Sequence, residues 1–214
     1  MKRFFMIVLF ILIGGCVNNK KTISPANNTI NFTVALINGE QENPYCAGVW
    51  VSQRNIITAY HCVKDEVGSE IIYYNVYDDN TVYEAKIKRL LFMSDLALLE
   101  VQDDFPSHPW AKIGKSPEIG EKVDIMGHPG GLSYTYTVGY ISSYRQNTFL
   151  PAISIIQISA PIFFGNSGGG AFNSKGELIG IASFIASVPN VGFFIGSEDI
   201  NILMDLVNPN YVIP

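Results

Sequence analysis

The sequence predicts an all-β fold in which about a dozen antiparallel strands form two lobes. Short runs rich in Val, Ile, Tyr and Phe, each bounded by Gly, Pro, Asn or Asp, are typical of such strands. Residues 103–120 contain three prolines and no alternating run, so this segment is predicted to cross from one lobe to the other. A single helix signal stands near the end of the chain, and the fold is therefore expected to be almost entirely β.

The elements follow from these patterns in chain order. In the first lobe the candidate strands are residues 32–37, 47–51, 56–59, 71–77, 83–89 and 96–101. In the second lobe they are residues 122–126, 134–142, 154–158, 178–184 and 191–195. Ser197 is suited to cap a terminal helix, Glu198 and Asp199 favour the positive end of its dipole, and residues 200–207 carry an apolar stripe.

The length and charge of the chain limit its organisation and its partners. The 214 residues suffice for one substantial domain, with the first lobe expected at residues 30–110 and the second at 111–214. That leaves no room for an appended peptide-binding domain, and we expect a monomer. The net charge of −5 and the lack of a basic cluster argue against nucleic-acid binding.

The N-terminus has the pattern of a lipoprotein signal peptide, predicted at residues 1–15. Lys2 and Arg3 precede an apolar run at residues 4–13, which is too short for the roughly 20 residues of a membrane-spanning helix. Small residues then lead to Cys16, in a segment that resembles a bacterial lipobox. Cleavage would leave a lipidated Cys16 and an Asn-rich flexible tether at residues 16–29, holding the protein at a membrane of the bacterial cell envelope and facing the periplasm or the exterior. The alternative is an ordinary secreted protein with a free Cys16.

The most informative segment is FGNSGGG at residues 164–170, where one serine stands among glycines. A serine hydroxyl attacks a carbonyl group only when a base takes its proton and fixed donors stabilise the developing oxyanion. Glycine permits the tight backbone angles that such a site requires. Of the three histidines, His61 follows an apolar run and is the favoured base, whereas His108 and His128 lie in Pro- and Gly-containing turns and are expected at the surface.

The carboxylate that would orient His61 is expected at Asp95, the acid that opens a buried-looking strand. Taken singly, each motif has a structural alternative. Asp95 could cap a strand or helix, His61 could be a packed core histidine, and the glycines could form a plain hairpin. Their occurrence together, in one order along the chain, favours a catalytic site.

The order His61, Asp95, Ser167 resembles that of the chymotrypsin-like serine proteases, and the chain looks closest to their compact bacterial, trypsin-like and HtrA-like branch. The resemblance implies two antiparallel six-stranded β-barrels and a serine endopeptidase that acts on polypeptides without a metal or organic cofactor. It assigns His61 as general base and then acid, Asp95 as its orienter and Ser167 as nucleophile. Backbone N–H groups of Gly165 and Ser167 would form the oxyanion hole. The competing hypothesis is a surface lipoprotein that uses this fold as a non-catalytic binding module.

The same resemblance pairs Cys46 with Cys62 in a disulfide that braces the histidine loop, the alternative being two free buried thiols. Asn166 stands where digestive relatives have the aspartate that pairs with a freed N-terminus, so a preformed site is expected. The resemblance also places a specificity pocket at Pro161, Phe163, Phe164, Ser183, Phe184, Ile185 and Gly192. None of these residues carries a carboxylate, so a preference for small or medium aliphatic residues is expected.

Overall fold

The computed structural model describes residues 29, 31–37, 43–64, 70–75, 81–102, 108–146, 154–185 and 189–205. The predicted signal peptide and Cys16 lie outside these residues, as does the predicted tether apart from Thr29.

Six strands form a first closed barrel. They are β1 (Thr33–Leu36), β2 (Cys46–Trp50), β3 (Asn55–Ala59), β4 (Glu70–Asn75), β5 (Thr81–Leu91) and β6 (Leu96–Val101). Their order around the barrel is β1-β2-β3-β6-β5-β4, and antiparallel pairing of β1 with β4 closes it. Short 3₁₀ turns at Tyr60–Cys62 and Phe92–Ser94 follow β3 and β5.

The second barrel repeats this arrangement. Its strands are β7 (Lys122–Gly127), β8 (Thr135–Arg145), β9 (Ile155–Ser159), β10 (Gly170–Phe172), β11 (Leu178–Ile185) and β12 (Gly192–Gly196), with a 3₁₀ turn at Pro129–Gly131. The order β7-β8-β9-β12-β11-β10 is closed by antiparallel pairing of β10 with β7. One α-helix, α1 (Ser197–Asp205), follows β12.

The apolar runs of the sequence are explained by burial on both faces of a strand. In β6, Ala97 and Leu99 belong to the core of the first barrel, whereas Leu96 and Leu98 belong to a second cluster that joins the two barrels. All four residues are fully buried. A strand that packs on both sides has no polar face, and its sequence therefore reads as a continuous apolar run.

The cluster between the barrels also holds the C-terminal helix, through Ile200 and Leu203. The helix contributes a buried carboxylate as well, because Asp199 accepts hydrogen bonds from the Ser94 hydroxyl at 2.5 Å and from the Ser154 N–H at 2.9 Å. Asp199 thereby ties α1 to the turn that leads into Asp95 and to the start of β9. No helix among the described residues has the length and apolarity needed to cross a membrane.

The predicted fold, two antiparallel six-stranded barrels with a short terminal helix, is confirmed. The eleven candidate strands all correspond to observed strands, and the one missed is β10. That strand has three residues and begins inside the glycine-rich segment, so it carries no recognisable alternation.

The expectation that His108 lies at the surface is wrong, since its side chain is buried. The His108 ring stacks on Trp50 with ring centroids 4.0 Å apart and lies 3.2 Å from the carbonyl oxygen of Gln53.

Candidate active site

His61 and Asp95 form a doubly hydrogen-bonded pair at one end of the first barrel. The backbone N–H of His61 donates to Asp95 Oδ1 at 2.9 Å, and His61 Nδ1 lies 2.8 Å from Asp95 Oδ2. Because an ionised carboxylate can only accept, the neutral imidazole that fits this contact has its proton on Nδ1 and its lone pair on Nε2. The His61 side chain is 40% exposed and that of Asp95 only 8%, so the imidazole can meet a substrate while its partner stays shielded from water.

Asp95 is held in this orientation by its backbone and by a third donor. It adopts the left-handed conformation, with φ 52° and ψ 41°, directly after the turn Phe92–Ser94. Its carbonyl oxygen accepts from the N–H of Tyr60, and the hydroxyl of Ser183 donates to Oδ2 at 2.5 Å. The left-handed conformation is less favourable than ordinary backbone angles for a residue with a side chain, and residues strained in this way occur mainly at functional sites. The Ser183 contact also links the carboxylate to β11 of the second barrel.

Ser167 belongs to the second barrel but is fastened to the first. The N–H of Ala47 in β2 donates to the Ser167 carbonyl at 2.7 Å. The next residue, Gly168, has φ +80°, and a Cβ there would lie 2.1 Å from the Ala47 carbonyl oxygen and 2.2 Å from Thr58 Oγ1. Glycine is thus required both by its backbone angle and by the close approach of the barrels.

The segment that precedes Ser167, residues 164–166, is called the oxyanion loop here. The N–H of Gly130 donates to the Phe164 carbonyl at 2.7 Å, and the N–H of Gly169 donates to the Asn166 carbonyl at 2.8 Å. In a trans peptide the N–H points opposite to the C=O, so these bonds turn the N–H groups of Gly165 and Ser167 the other way. Within the described part of the chain neither N–H donates a hydrogen bond. Both are available to a developing oxyanion.

The disulfide that the resemblance implied joins Cys46 to Cys62, with the two Cα atoms 6.2 Å apart. It connects β2, next to Ala47, with the turn that carries His61. His61 and the two cysteines group their potential ligand atoms within 4.8 Å of one another. Because both sulfurs are bonded to each other, this trio is a structural brace rather than a set of metal-binding thiolates.

A cavity of about 290 Å³ opens beside the triad candidates. Its lining residues are His61, Ile162, Phe163, Phe164, Ser167, Ala182, Ser183, Phe184 and Ile185. None of these is acidic, and most are apolar. Phe184 is fixed by stacking on Phe193, with ring centroids 4.7 Å apart.

The structure brings His61 and Ser167 to this cavity together with five of the seven predicted pocket residues. The other two, Pro161 and Gly192, do not line it. Pro161 is exposed, and Gly192 lies beneath Ile162, where a Cβ would approach Ile162 Cγ1 to 2.6 Å. Sequence reasoning missed Ile162 and Ala182, although each is a direct neighbour of a predicted lining residue.

His128 was expected at the surface, and this is wrong because its side chain is fully buried. The Tyr134 N–H donates to His128 Nδ1 at 2.9 Å, so Nε2 carries the proton and donates to the Val34 carbonyl at 3.2 Å. Burial lowers the pKa of His128 to about 4, and the contact with Val34 offsets only part of this shift. The ring is therefore neutral at pH 7. Pro and Gly beside it suggested exposure, but the His128 ring packs against β1 of the first barrel.

Comparison with known proteins matches the chain to a peptidase family and to relatives that are named as proteases. The model of the trypsin-like peptidase domain matches residues 46–181. Protease Do-like 1 from chloroplasts of Arabidopsis thaliana is 33% identical over 170 residues, which are 73% of this chain and 37% of that protein. Serine protease Do-like HtrA of Bacillus subtilis is 34% identical over 158 residues, 68% of this chain and 34% of that protein.

A solved structure agrees with these sequence matches. The serine endoprotease from Yersinia pestis has a TM-score of 0.71 and 26% identity, covering 89% of this chain and 69% of that one. The chain spans about a third of the length of the two curated relatives.

The buried neutral His128 predicts a stability that depends on pH. The unfolded chain takes up a proton near the ordinary histidine pKa of 6.5, whereas the folded chain resists protonation down to about 4, so stability is lost as pH falls through this window. Between pH 7 and pH 4 this one group should remove about 3 kcal/mol from the free energy of unfolding. Urea unfolding of wild type and His128→Gln at both pH values measures it. The loss should be smaller in the variant by that amount, and equal losses would contradict the assignment.

Proposed function

The chain belongs to the trypsin-like peptidase family, and on that premise we propose that it is a serine endopeptidase that cleaves polypeptides through an acyl-enzyme. The observation that carries this proposal is the pairing of Asp95 with His61 beside a cavity that Ser167 also lines. The available Gly165 and Ser167 N–H groups support it further.

In the proposed reaction the Ser167 Oγ attacks the carbonyl carbon of the scissile peptide bond while His61 Nε2 takes the hydroxyl proton. The carboxylate of Asp95 stabilises the resulting imidazolium. The tetrahedral oxyanion accepts hydrogen bonds from the N–H groups of Gly165 and Ser167. His61 then returns the proton to the leaving nitrogen, the C–N bond breaks, and an ester to Ser167 remains. Water attacks this ester with the same help from His61, releasing the acid and restoring the hydroxyl.

The proposed roles predict specific losses of activity. Ser167→Ala should abolish both turnover and labelling by a fluorophosphonate, because only an activated serine hydroxyl reacts quickly with that probe. Asp95→Asn should lower kcat by roughly 10⁴, because the amide places the proton on the wrong imidazole nitrogen. Hydrolysis of an unfolded protein substrate and active-site labelling measure these effects, with thermal unfolding as the control for folding. Wild type that neither labels nor hydrolyses would instead favour the binding-module hypothesis.

The cavity predicts which residue precedes the scissile bond. Apolar lining without an acid would leave a buried Lys or Arg unpaired, at a cost of several kcal/mol. Val, Ala, Leu or Met would gain up to about 1.5 to 3 kcal/mol from burial. A peptide-library profile should therefore show small or medium aliphatic residues at this position.

A pair of variants isolates the contribution of the cavity. Ile185→Asp puts a carboxylate at its rim and should shift the profile toward Lys and Arg, whereas Ile119→Asp makes the same change at an exposed residue outside the cavity and should leave the profile unchanged. A dominant preference of wild type for Arg, Lys or Glu would overturn the proposed specificity.

We propose further that the enzyme is a monomer held at a bacterial envelope membrane by a lipidated Cys16. The basic start, the short apolar run and the small residues before Cys16 support this proposal. In a bacterial host, wild type should fractionate with membranes and carry an acyl mass, whereas Cys16→Ser should be released without loss of catalytic activity. Wild type without an acyl group, or Cys16→Ser that remains in the membrane fraction, would refute the anchor. Light scattering of detergent-solubilised protein tests the monomer.

A further inference from the structure

We propose that His128 is a positioning residue, whose neutral imidazole holds the oxyanion loop in the conformation that presents the Gly165 and Ser167 N–H groups to substrate. The expected effect on kcat rests on the proposed peptidase activity, whereas the expected effect on the conformation of the loop does not.

The backbone of His128 supports the oxyanion loop directly. Its N–H donates to the Gly165 carbonyl at 3.2 Å, and its own carbonyl lies so close to Gly165 that a Cβ there would come within 2.1 Å of the oxygen. Two residues later, the N–H of Gly130 holds the Phe164 carbonyl. The segment that begins at His128 therefore fixes both peptide groups that flank Gly165.

The contact between this segment and the oxyanion loop extends to Gly127, the residue before His128. Gly127 ends β7 and lies against Asn166, where a Cβ would approach the Asn166 side-chain oxygen to 2.4 Å. Each of the three residues of the oxyanion loop thus rests on the segment 127–130. A shift of that segment is therefore expected to move the loop, because Gly127 and Asn166, and likewise His128 and Gly165, lie too close together for a Cβ to fit between them.

The imidazole of His128 holds the segment 127–130 in place through two hydrogen bonds. Nε2–H donates to the Val34 carbonyl in β1 of the first barrel, and Nδ1 accepts from Tyr134 on the far side of the turn. One ring therefore joins two segments that are otherwise distant in sequence, and both of its nitrogens are engaged. Replacing it by an apolar ring would remove the acceptor of the Tyr134 N–H and the donor to the carbonyl of the buried Val34, which favours a local rearrangement.

The contacts of the His128 ring stabilise a strained backbone conformation at Tyr134. It has φ 56°, a left-handed conformation that is unfavourable for an aromatic residue. Its N–H is bound by His128 Nδ1, and its ring meets the imidazole edge to face with centroids 4.6 Å apart. Without these contacts the turn is expected to relax toward ordinary angles. The segment 127–130 would move with it.

A matched pair of variants tests this role. His128→Phe removes both ring hydrogen bonds and keeps an aromatic ring. His108→Phe makes the same change at another buried histidine, which contacts Trp50 and the carbonyls of Gln53 and Pro109 rather than the site. In His128→Phe we expect kcat to fall about 10²-fold with KM nearly unchanged, since a small misplacement of the oxyanion donors costs transition-state binding. In His108→Phe, kcat per folded molecule should remain near that of wild type. His128→Gln, whose amide can both accept and donate, should recover part of kcat.

A second measurement needs no turnover. Backbone amide NMR signals of Gly165 and Ser167 should shift or broaden in His128→Phe and keep their wild-type positions in His108→Phe. Unchanged signals in a folded His128→Phe, or equal kcat in the two variants, would overturn the proposal. If His128→Phe does not fold, the NMR signals of His128→Gln provide the test. Wild-type positions and lineshapes at Gly165, together with wild-type kcat, would then overturn the proposal. Wild type that lacks all activity while its Gly165 signal still depends on His128 would refute the proposed function and leave the positioning role standing.

Discussion

The site depends on one contact between the barrels, the hydrogen bond from the Ala47 N–H to the Ser167 carbonyl. Neither barrel holds the complete set of proposed catalytic groups, since His61 and Asp95 lie in the first and Ser167 in the second. This bond, with Gly168 packed against Ala47 and Thr58, sets the distance between nucleophile and base. The apolar cluster between the barrels stabilises the arrangement but, being non-directional, does not by itself specify an orientation.

The disulfide and the Ser183 hydroxyl extend this control to the remaining groups. Cys46 precedes Ala47, and its bond to Cys62 attaches the His61 turn to the same strand that holds Ser167. From the opposite side, Ser183 reaches Asp95 from β11, whose residue Ala182 also exchanges backbone hydrogen bonds with Gly168 and Gly169. The three triad candidates are therefore connected through β2 and β11, and displacement of either strand would disturb all of them together.

The sequence was sufficient where a motif is local and insufficient where burial depends on the partner barrel. The glycine pattern around Ser167, the strand opened by Asp95 and the apolar run before His61 are local, and they predicted both the fold and the candidate triad. His128 illustrates the limit, because Pro and Gly beside it indicated a surface turn, yet β1 of the other barrel covers the ring. The cavity shows a related limit, since Ala182 in β11 and Ile162 in the segment after β9 come together only in the folded barrel, and no local motif indicates their contact.

The position of β10 has a consequence for the order of folding. This strand begins three residues after Ser167 and closes the second barrel by pairing with β7, a partner far away in the chain. Closing the loop between these two strands costs conformational entropy that must be met before they pair, so we expect this pairing to be a slow step. The oxyanion loop and Ser167 directly precede β10 in the chain, so they are expected to reach their final positions only when β10 pairs with β7. On the proposed function, a chain whose second barrel has not yet closed is therefore expected to lack peptidase activity.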